Sequence, residues 1–383
     1  MRSIREIPVF ENIPILVRAS LNVPVANGKV VNDYRLRRAV PTIRFLAERG
    51  ARVILMSHLG EKGTETLKSV AEALGTLIPN VSFSDETIGV RVRAAIRDLS
   101  PGNILVLENL RRDRGERANS RAFAQELADL ADIFVEDCFD TCHRPHASII
   151  GVPTLLPSYA GLLLEEEVQE LTRALTPAQP SLAVIGGAKF MTKEAVLTKL
   201  LAVYDHVFVG GALANDFLKY SGQEVGKSLV SEANVHDMKK IIANPKLVLP
   251  IDSVVIPFSL LGTPNALSQA RVARAGDVRP DEIILDHGPG TEVLLAELAV
   301  KAKTILWNGP MGNYENGFVH ATNDFARAVA RSGAHSVVGG GDTIAAIENL
   351  ALLPRFSFVS TGGGAMLDFL AHGTLPGIEA LQR

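Results

Sequence analysis

Two glycine triplets near the C-terminus have the composition and spacing of loops that bind anions. Residues 339–341 are glycines followed by Asp342 and Thr343, and residues 362–364 form a second triplet. Each triplet follows a short apolar run that favours a strand and precedes a periodic run that favours a helix. A glycine-rich turn between strand and helix lets backbone N–H groups approach an anion, which the helix dipole also attracts. With Asp342 as a carboxylate suited to Mg²⁺, the pattern indicates a site for phosphate groups.

A third glycine turn carries two lysines. Gly186 and Gly187 follow the apolar run 182–185, and Lys189 and Lys193 come after them. Their spacing of four places both ammonium groups on one face of a helix's first turn. Cations there oppose the helix dipole, so the placement is useful if an anion binds between them. The alternative interpretation is two lysines exposed to solvent.

The loop at residues 307–312 reads Trp-Asn-Gly-Pro-Met-Gly and follows another apolar run. Such a loop can place backbone close to a ligand. Glu315 follows three residues later, with a carboxylate able to hydrogen-bond a ribose. Taken alone, this loop does not identify a ligand.

Polar side chains follow several apolar runs in the first half of the chain. The carboxyl ends of parallel strands are where α/β sheets bind ligands. Arginine suits bidentate capture of phosphate or carboxylate, and 18 of the 21 cations before residue 161 are arginine. We expect three arginines and a histidine to converge on a small phosphorylated acid, although each of these residues alone would be uninformative. These four residues are Arg35, His58, Arg111 and Arg144, and Asn22 follows the first apolar run in the same way.

Short apolar runs alternate with helix-like segments along the chain, which predicts βα units around buried parallel sheets. At 383 residues the chain is too long for one ordinary core. We therefore expect an α/β fold with two doubly wound, Rossmann-like parallel-sheet domains. The runs that predict strands are 15–17, 53–55, 104–106, 133–135, 182–185, 207–209, 247–249, 304–306, 337–338 and 358–359.

The domain boundaries follow from the same pattern. Residues 1–160 form the predicted first domain and 177–365 the second. Between them, the helical spacing of apolar residues in 161–176 predicts an interdomain helix, with a hinge beside it. Residues 366–383 form a separate C-terminal segment.

Composition and charge place the chain among ordinary globular proteins. It is 47% hydrophobic and 21% charged, with a net charge of −3 that gives no reason to expect nucleic-acid binding. No apolar run approaches the ~18 residues of a membrane span. The charged N-terminus does not resemble a secretory signal. We therefore expect a cytoplasmic protein.

The two cysteines, Cys138 and Cys142, are too few for a disulfide framework. With His143 and His146 they place four potential metal ligands within nine residues. Such tight spacing suits paired ligands poorly, so small buried thiols are the favoured interpretation. A structural metal remains the alternative.

Taken together, these segments resemble the phosphoglycerate kinase family over essentially the whole chain. The resemblance runs from residues 17–24, Val-Arg-Ala-Ser-Leu-Asn-Val-Pro, to residues 375–381. The runs at 307–310, 339–343 and 360–365, in this order and spacing, are highly specific to that family. The resemblance implies reversible phosphoryl transfer between 1,3-bisphosphoglycerate and ADP, giving 3-phosphoglycerate and ATP in glycolysis.

The same resemblance implies the roles of the domains. The first domain would bind phosphoglycerate, and the second would bind ADP or ATP with Mg²⁺. The C-terminal segment would pack back on the first domain. A monomer whose domains close about a hinge is the expected form, with small molecules as its partners.

Roles carry over by resemblance, position by position. The acid would be held by Asn22, Arg35, His58, Arg111 and Arg144. The nucleotide would be held by Gly187, Lys189, Lys193, Gly211, Asn308, Glu315, Gly340, Gly341, Asp342 and Thr343, with Glu315 on the ribose and Asp342 on the metal. The catalytic residues would be Arg35, Lys193, Gly340 and Gly363.

The chain departs from the family pattern in its acid-binding half. Ser20 stands where the resemblance leads us to expect an aspartate that accepts the substrate's hydroxyl, and Glu61 stands where it implies an arginine. Asp140 occupies a position that is usually glycine. The changes at 20 and 61 act in opposite directions on the formal charge, which fits coupled substitutions. Alternatively, the loop has moved and turns Glu61 to solvent.

Two alternatives to an active phosphoglycerate kinase stay open. One is a nucleotide-binding homologue with weak or lost turnover that acts by binding a partner. The other is a kinase for a different phosphorylated carboxylic acid. A Rossmann dehydrogenase is disfavoured, because no G-x-G-x-x-G motif opens the first helix.

Overall fold

A computed structural model of the chain describes residues 1–188, 190–231, 235–274 and 276–382, apart from the side chains of 235–237. The chain divides into two compact units. The first unit comprises Met1–Gln169 and the segment that begins at Thr374, and the second comprises Glu170–Gly373. Each unit contains a six-stranded parallel sheet. The predicted fold class, α/β with two parallel-sheet domains, is confirmed.

The main sheet of the first unit has the strand order β5-β6-β4-β1-β7-β8, and β2 and β3 form a small antiparallel pair. In the main sheet, Leu16 pairs with Ile54 on one side and Phe134 on the other, and all three are fully buried. Burial on both faces explains why these strands read as continuous apolar runs. The strands are β1 (Pro14–Ala19), β2 (Val25–Ala26), β3 (Lys29–Val30), β4 (Arg52–Met56), β5 (Val81–Phe83), β6 (Ile104–Val106), β7 (Ile133–Asp137) and β8 (Ser158–Ala160).

Six helices precede or follow these strands in the chain. In α1 the apolar residues Leu36, Val40 and Ile43 recur at helical spacing and are buried in the core of the unit. The last helix, α6, begins in the first unit and continues past Gln169 into the second. The helices are α1 (Tyr34–Ala47), α2 (Lys68–Leu77), α3 (Val90–Asp98), α4 (Arg114–Arg117), α5 (Arg121–Ala128) and α6 (Leu162–Ala174).

The second unit has a parallel sheet in the order β11-β10-β9-β15-β16-β17 and an antiparallel sheet in the order β13-β12-β14. Each of the ten apolar runs that predicted strands coincides with a strand of a parallel sheet. The antiparallel sheet was not predicted. The strands are β9 (Ser181–Ile185), β10 (His206–Val209), β11 (Leu247–Val248), β12 (Asp252–Pro257), β13 (Arg271–Arg274), β14 (Glu282–His287), β15 (Thr304–Asn308), β16 (His335–Gly339) and β17 (Phe358–Val359).

The remaining helices complete both units. Cys138 and Cys142 are buried and form no disulfide. The backbone N–H of Gly377, in the last helix of the chain, donates to the carbonyl oxygen of Cys142 at 2.9 Å, which fixes that helix in the first unit. Within the described chain, no helix has the length and apolar character that crossing a membrane requires. The helices are α7 (Glu194–Val203), α8 (Ala212–Tyr220), α9 (Val235–Ile242), α10 (Pro289–Lys301), α11 (His320–Ser332), α12 (Gly341–Asn349), α13 (Gly364–His372) and α14 (Pro376–Ala380).

Candidate active site

Four of the five residues predicted to bind an acid follow adjacent strands of the first sheet, and the fifth, Arg35, lies on α1. Asn22 follows β1, His58 follows β4, and Arg111 lies in a 3₁₀ turn after β6. Arg35 is in the first turn of α1, and Arg144 follows β7. Because β6, β4, β1 and β7 are neighbours in the sheet, their carboxyl ends lie along one edge.

Hydrogen bonds join residues from three of these strand ends. Arg35 donates through Nη1 to the carbonyl oxygen of Asn22 at 2.7 Å. The side-chain oxygen of Asn22 accepts from the backbone N–H of Gly60 at 3.1 Å, and Arg111 donates through Nη1 to the carbonyl oxygen of Gly60 at 2.6 Å. The structure therefore brings Asn22, Arg35 and Arg111 together with the turn that contains His58.

His58 is a buried, neutral imidazole. Burial lowers its pKa well below the usual value, and the neighbouring charge of Arg18 lowers it further. Nη2 of Arg18 lies 2.9 Å from Nδ1 of His58. Because a guanidinium only donates, Nδ1 accepts and the second ring nitrogen, Nε2, carries the proton. His58 therefore presents a hydrogen-bond donor.

Arg18 is a residue of this site that sequence analysis did not single out. It is fully buried in β1, and its Nε donates to the hydroxyl of Ser148 at 3.0 Å. A fully buried arginine inside an apolar strand requires partners, and this mismatch between charge and environment is the signal that would have identified it. Its contact with His58 makes it a positioning residue.

Arg144 differs from the other four predicted residues in its surroundings. Its side chain is exposed in the turn after β7. Within the described residues no hydrogen bond connects it to the other four. Its charge nevertheless reaches the buried His146, whose pKa falls to about 4, first through burial and then through Arg111, Arg18 and Arg144.

The departure at Ser20 is accompanied by a contact with Asp140. The Ser20 hydroxyl donates to Oδ1 of Asp140 at 2.9 Å. Nη1 of Arg35 lies 3.6 Å from the other carboxylate oxygen, Oδ2. Burial by itself would raise the pKa of Asp140, but Arg35 and the hydrogen bonds from Cys138 and Ser20 are among the groups that lower it, and the pKa lies below its ordinary value. An ionised carboxylate therefore stands among the residues predicted to bind the acid, at position 140 instead of 20.

The departure at Glu61 has a different outcome. The Glu61 side chain is 83% exposed, in agreement with the alternative in which the loop turns it to solvent. Its carboxylate still lies 3.1 Å from Nη1 of Arg111, whose side chain is 5% exposed. Burial lowers the pKa of Arg111, and the Glu61 charge acts in the opposite direction. Glu61 thus partly neutralises Arg111, one of the cations predicted to bind the acid.

Glycine turns end four adjacent strands of the second sheet, β10, β9, β15 and β16. Gly309 after β15 has φ 93°, and a Cβ added there would lie 2.7 Å from the backbone carbon of Gly186. Two strand ends therefore approach each other more closely than any side chain permits. The result is a row of closely packed glycine backbone at one edge of the sheet.

A cavity of about 420 Å³ lies beside these turns. Four of the predicted nucleotide-binding residues line it: Gly187, Gly211, Glu315 and Asp342. Sequence analysis missed much of the remaining wall, which comes from α8, from β14 and from the segment after β15. Those residues include Asn215, Ile284, His287 and Tyr314.

The N-terminus of α12 carries the first glycine triplet. Gly340 precedes the helix with φ 101°, and a Cβ at Gly341 would meet no atom within 4 Å. Thr343 is fully buried, and its Oγ1 makes no hydrogen bond within the described residues. Backbone donors and an unpartnered hydroxyl therefore meet where the helix dipole favours an anion. The second triplet likewise places Gly363, φ 52°, directly before α13.

Lys193 stands directly before α7. Its Nζ would lie 2.9 Å from a Cβ added at Gly187, so the ammonium covers this glycine turn. Burial lowers the pKa of Lys193. Asn308 is buried, and its side-chain nitrogen lies 3.4 Å from the sulfur of Met366. Lys189, the partner of Lys193 in the sequence prediction, lies outside the described residues.

The residues present allow one kind of metal site. Among the described residues, no group of three or more His, Cys, Asp and Glu side chains is arranged to hold a metal ion. Asp342 is a single carboxylate on the cavity wall, in the first turn of α12. Mg²⁺ in kinases is commonly held by one or two carboxylates together with substrate phosphates, and Asp342 fits that arrangement.

Comparisons with known proteins agree with this geometry. A family model described as phosphoglycerate kinase matches residues 4–373. A phosphoglycerate kinase of Roseiflexus sp. (strain RS-1) is 41% identical over 381 residues, covering 96% of this chain and 95% of the relative.

Solved structures are similar over the same extent. The phosphoglycerate kinase of Coxiella burnetii has a TM-score of 0.83 at 39% identity, covering 99% of this chain and 98% of its own. That of Pyrococcus horikoshii OT3 has a TM-score of 0.87 at 30% identity, covering 100% and 98%. The family match and the near-complete coverage of relatives at 30% identity or more lead to one conclusion: this chain belongs to the phosphoglycerate kinase family.

Proposed function

We propose that the first unit of this chain binds phosphoglycerate and the second binds the adenine nucleotide. The reaction follows from the family: the chain is a phosphotransferase that moves a phosphoryl group reversibly between 1,3-bisphosphoglycerate and ADP, a step of glycolysis. What we add is the assignment of its residues to the two substrates. The observation that carries it is the hydrogen-bonded network of Arg35, Asn22, Gly60 and Arg111 at the edge of the first sheet.

The acid site matches the chemistry of its substrate. Phosphoglycerate carries a phosphate and a carboxylate, and Arg35, Arg111 and Arg144 offer planar cations suited to both. His58 adds a neutral donor. Arg111 has a further donor, because its buried Nε makes no hydrogen bond within the described residues. The hydrogen bonds through Asn22 and Gly60 hold two of the cations in place before substrate binds, which lowers the entropic cost of binding.

The nucleotide site follows from the turns of the second unit. Glu315 on the cavity wall would bind the ribose, and the turn formed by Gly340, Gly341 and Thr343 would bind phosphates. Lys193 would face the phosphoryl group that is transferred. Asp342 would hold a nucleotide-bound Mg²⁺, which supplies positive charge to the phosphate oxygens.

The chemistry requires positioning and neutralisation of charge. An oxygen of the ADP β-phosphate forms a bond to the phosphorus of the acyl phosphate as the bond from that phosphorus to the carboxyl oxygen breaks. The electron pair leaves with the carboxylate of 3-phosphoglycerate. Charge develops on the equatorial oxygens of the moving group, where Arg35, Lys193 and backbone N–H groups would stabilise it. No covalent intermediate with the protein is needed.

A coupled assay with 3-phosphoglycerate and Mg-ATP tests the residue assignments. We expect Arg35→Gln and Lys193→Gln each to lower kcat/KM by about 100-fold or more. The controls are Arg37→Gln, on the same helix as Arg35 with a 48% exposed side chain, and Lys199→Gln, exposed on α7. Activity of an Arg35 or Lys193 variant within threefold of its control would overturn that assignment.

Calorimetry separates the two units. Arg35→Gln should weaken binding of 3-phosphoglycerate and leave binding of Mg-ADP unchanged. Lys193→Gln should retain binding of 3-phosphoglycerate. If Arg35→Gln weakened binding of Mg-ADP and Lys193→Gln weakened binding of 3-phosphoglycerate, the assignment of the two substrates to the two units would be contradicted. Because each site is built from residues of one chain, we also expect a monomer, which light scattering after size-exclusion chromatography can check.

A further inference from the structure

We propose that Asp140 recognises the hydroxyl group of the acid substrate, with Ser20 as the residue that holds the Asp140 carboxylate in position. This inference rests on the acid site proposed above. It assigns to this chain a specificity-determining residue at a position where the family resemblance leads us to expect glycine.

The location of Asp140 places it in the acid site. It lies in the 3₁₀ turn Phe139–Thr141, directly after β7, and β7 is adjacent to β1 in the sheet. Its side chain is 6% exposed. Carboxylates are rarely this buried unless a partner stabilises their charge, so the position requires an explanation beyond a solvated surface.

The surroundings of Asp140 fix one carboxylate oxygen and leave the other less constrained. Oδ1 accepts from the hydroxyl of Ser20 at 2.9 Å and from the thiol of Cys138 at 2.9 Å. Oδ2 faces Nη1 of Arg35 at 3.6 Å, an ion-pair distance that is too long for a good hydrogen bond. Within the described residues, Oδ2 accepts no hydrogen bond, so it keeps capacity for a donor on the ligand.

The chemistry of the substrate determines what can face this oxygen. An ionised carboxylate only accepts hydrogen bonds, and it repels the phosphate and the carboxylate of phosphoglycerate. The hydroxyl on carbon 2 is the one group of that substrate that donates. The low pKa of Asp140 keeps the acceptor charged at neutral pH. Asp140 would therefore orient the acid by its hydroxyl, while the arginines hold its anionic ends.

The two departures from the family pattern become a single change in this arrangement. The resemblance leads us to expect an aspartate at position 20 and a glycine at position 140. Here the carboxylate is at 140, and the smaller Ser20 is at 20, in direct contact with it. The acidic group has been relocated across this contact, and the summed charge of positions 20 and 140 is conserved.

The test uses two substrates that differ by one hydroxyl. Wild-type enzyme, Asp140→Asn and the control Asp98→Asn, whose carboxylate is 73% exposed, are assayed with 3-phosphoglycerate and with 3-phosphooxypropanoate, which lacks the hydroxyl. We expect Asp140→Asn to lower kcat/KM for 3-phosphoglycerate by about 10- to 100-fold, the range for loss of a hydrogen bond to a charged group. Its kcat/KM for the deoxy analogue should stay within threefold of wild type, as should its KM for Mg-ATP.

A double variant guards against a folding artefact. Ser20→Asp combined with Asp140→Gly returns the carboxylate to position 20. The preference of this double variant for 3-phosphoglycerate over the deoxy analogue should be at least tenfold greater than that of Asp140→Asn. If Asp140→Asn prefers 3-phosphoglycerate to the analogue as strongly as wild type does, the inference is wrong.

Failure of this inference is distinguishable from failure of the acid site itself. When Arg35→Gln loses binding of 3-phosphoglycerate while Asp140→Asn keeps its preference for the hydroxyl, the acid site stands and only the role of Asp140 is overturned. When Arg35→Gln keeps its affinity, the acid site is wrongly placed, and the role of Asp140 is rejected with it.

Discussion

The carboxylate of Glu61 lies 3.1 Å from the buried guanidinium of Arg111 and is itself 83% exposed. Arg111 is one of the cations that we assign to the acid substrate. An ion pair with an exposed partner contributes only about 0–1 kcal/mol, so a substrate anion can displace Glu61 at modest cost. If that assignment holds, Glu61 competes weakly with the substrate at the rim of the proposed site.

The first prediction concerns this competition. Glu61→Gln should lower the KM for 3-phosphoglycerate by about two- to fivefold, because Arg111 is no longer neutralised. The effect should shrink as ionic strength rises, since salt screens exposed charges. Steady-state kinetics at low and high salt measures it, with Glu72→Gln, exposed on α2, as the control. A raised KM, or a fall equal to that of the control, would contradict the competition.

The second prediction separates strain from ligand contact in the first glycine triplet. Gly340→Ala places Cβ on a residue with φ 101° and should cost roughly 1–3 kcal/mol of stability. Gly341→Ala should leave the melting temperature unchanged or raise it, because its Cβ meets no atom within 4 Å and alanine favours the helix. The same Cβ would occupy space assigned to phosphates, so Mg-ADP should bind about tenfold more weakly.

Thermal melts and calorimetry on the two variants check this prediction together. The Gly341→Ala result decides the ligand contact, since its fold is expected to be intact. Unchanged affinity for Mg-ADP in that variant would remove the phosphates from this turn.

Although it missed the short strands β5 and β8, the sequence predicted ten of the twelve parallel strands in the described chain, because most of them are buried apolar runs. The run 133–135, for example, lies in β7 (Ile133–Asp137). The antiparallel sheet was missed because its strands mix charged with apolar residues, and β13 is also partly exposed. In β13, Val272 is 51% exposed and lies between arginines at 271 and 274 in a four-residue strand. Such a pattern has no clear period over so short a span.

The site was predictable where function depends on one local motif and not where it depends on a distant contact. The glycine turns were identified because strand, turn and helix are adjacent in the chain. The Ser20–Asp140 hydrogen bond joins residues 120 positions apart, and neither local pattern specifies the other partner. The cavity wall formed by Ile284 and His287 was missed because the strand that carries both residues, β14, was not predicted.

The third prediction concerns the start of α10. Asp252 accepts from the backbone N–H groups of Gly290 and Thr291, each at 2.8 Å, and from the Thr291 hydroxyl at 2.7 Å. Asp252→Ala leaves these donors of the first helical turn without their acceptor and should cost about 1–3 kcal/mol. Denaturant unfolding measures it, with the exposed Asp281→Ala as the control at less than about 0.5 kcal/mol. Equal losses in both variants would contradict the capping role.

The fourth prediction is a pH dependence that arises at His287, on the wall of the proposed nucleotide cavity. Burial lowers the pKa of His287 to about 4, against about 6.5 in an unfolded chain. Its Nε2 accepts from the backbone N–H of Gly211 at 3.3 Å, and protonation would abolish this acceptor. Between these two pKa values the unfolded chain binds a proton that the folded chain does not. Stability therefore falls as pH falls from about 6.5 to about 4.

Between pH 7 and pH 5 this one group should account for about 2 kcal/mol of lost stability. In His287→Gln, which cannot titrate and keeps an oxygen acceptor, the drop in melting temperature between pH 7 and pH 5 should be smaller than in wild type. The control His206→Gln, exposed at the start of β10, should show the full wild-type drop. Equal drops in wild type and His287→Gln would show that protonation of His287 does not govern acid stability, and that the acid-sensitive groups lie elsewhere.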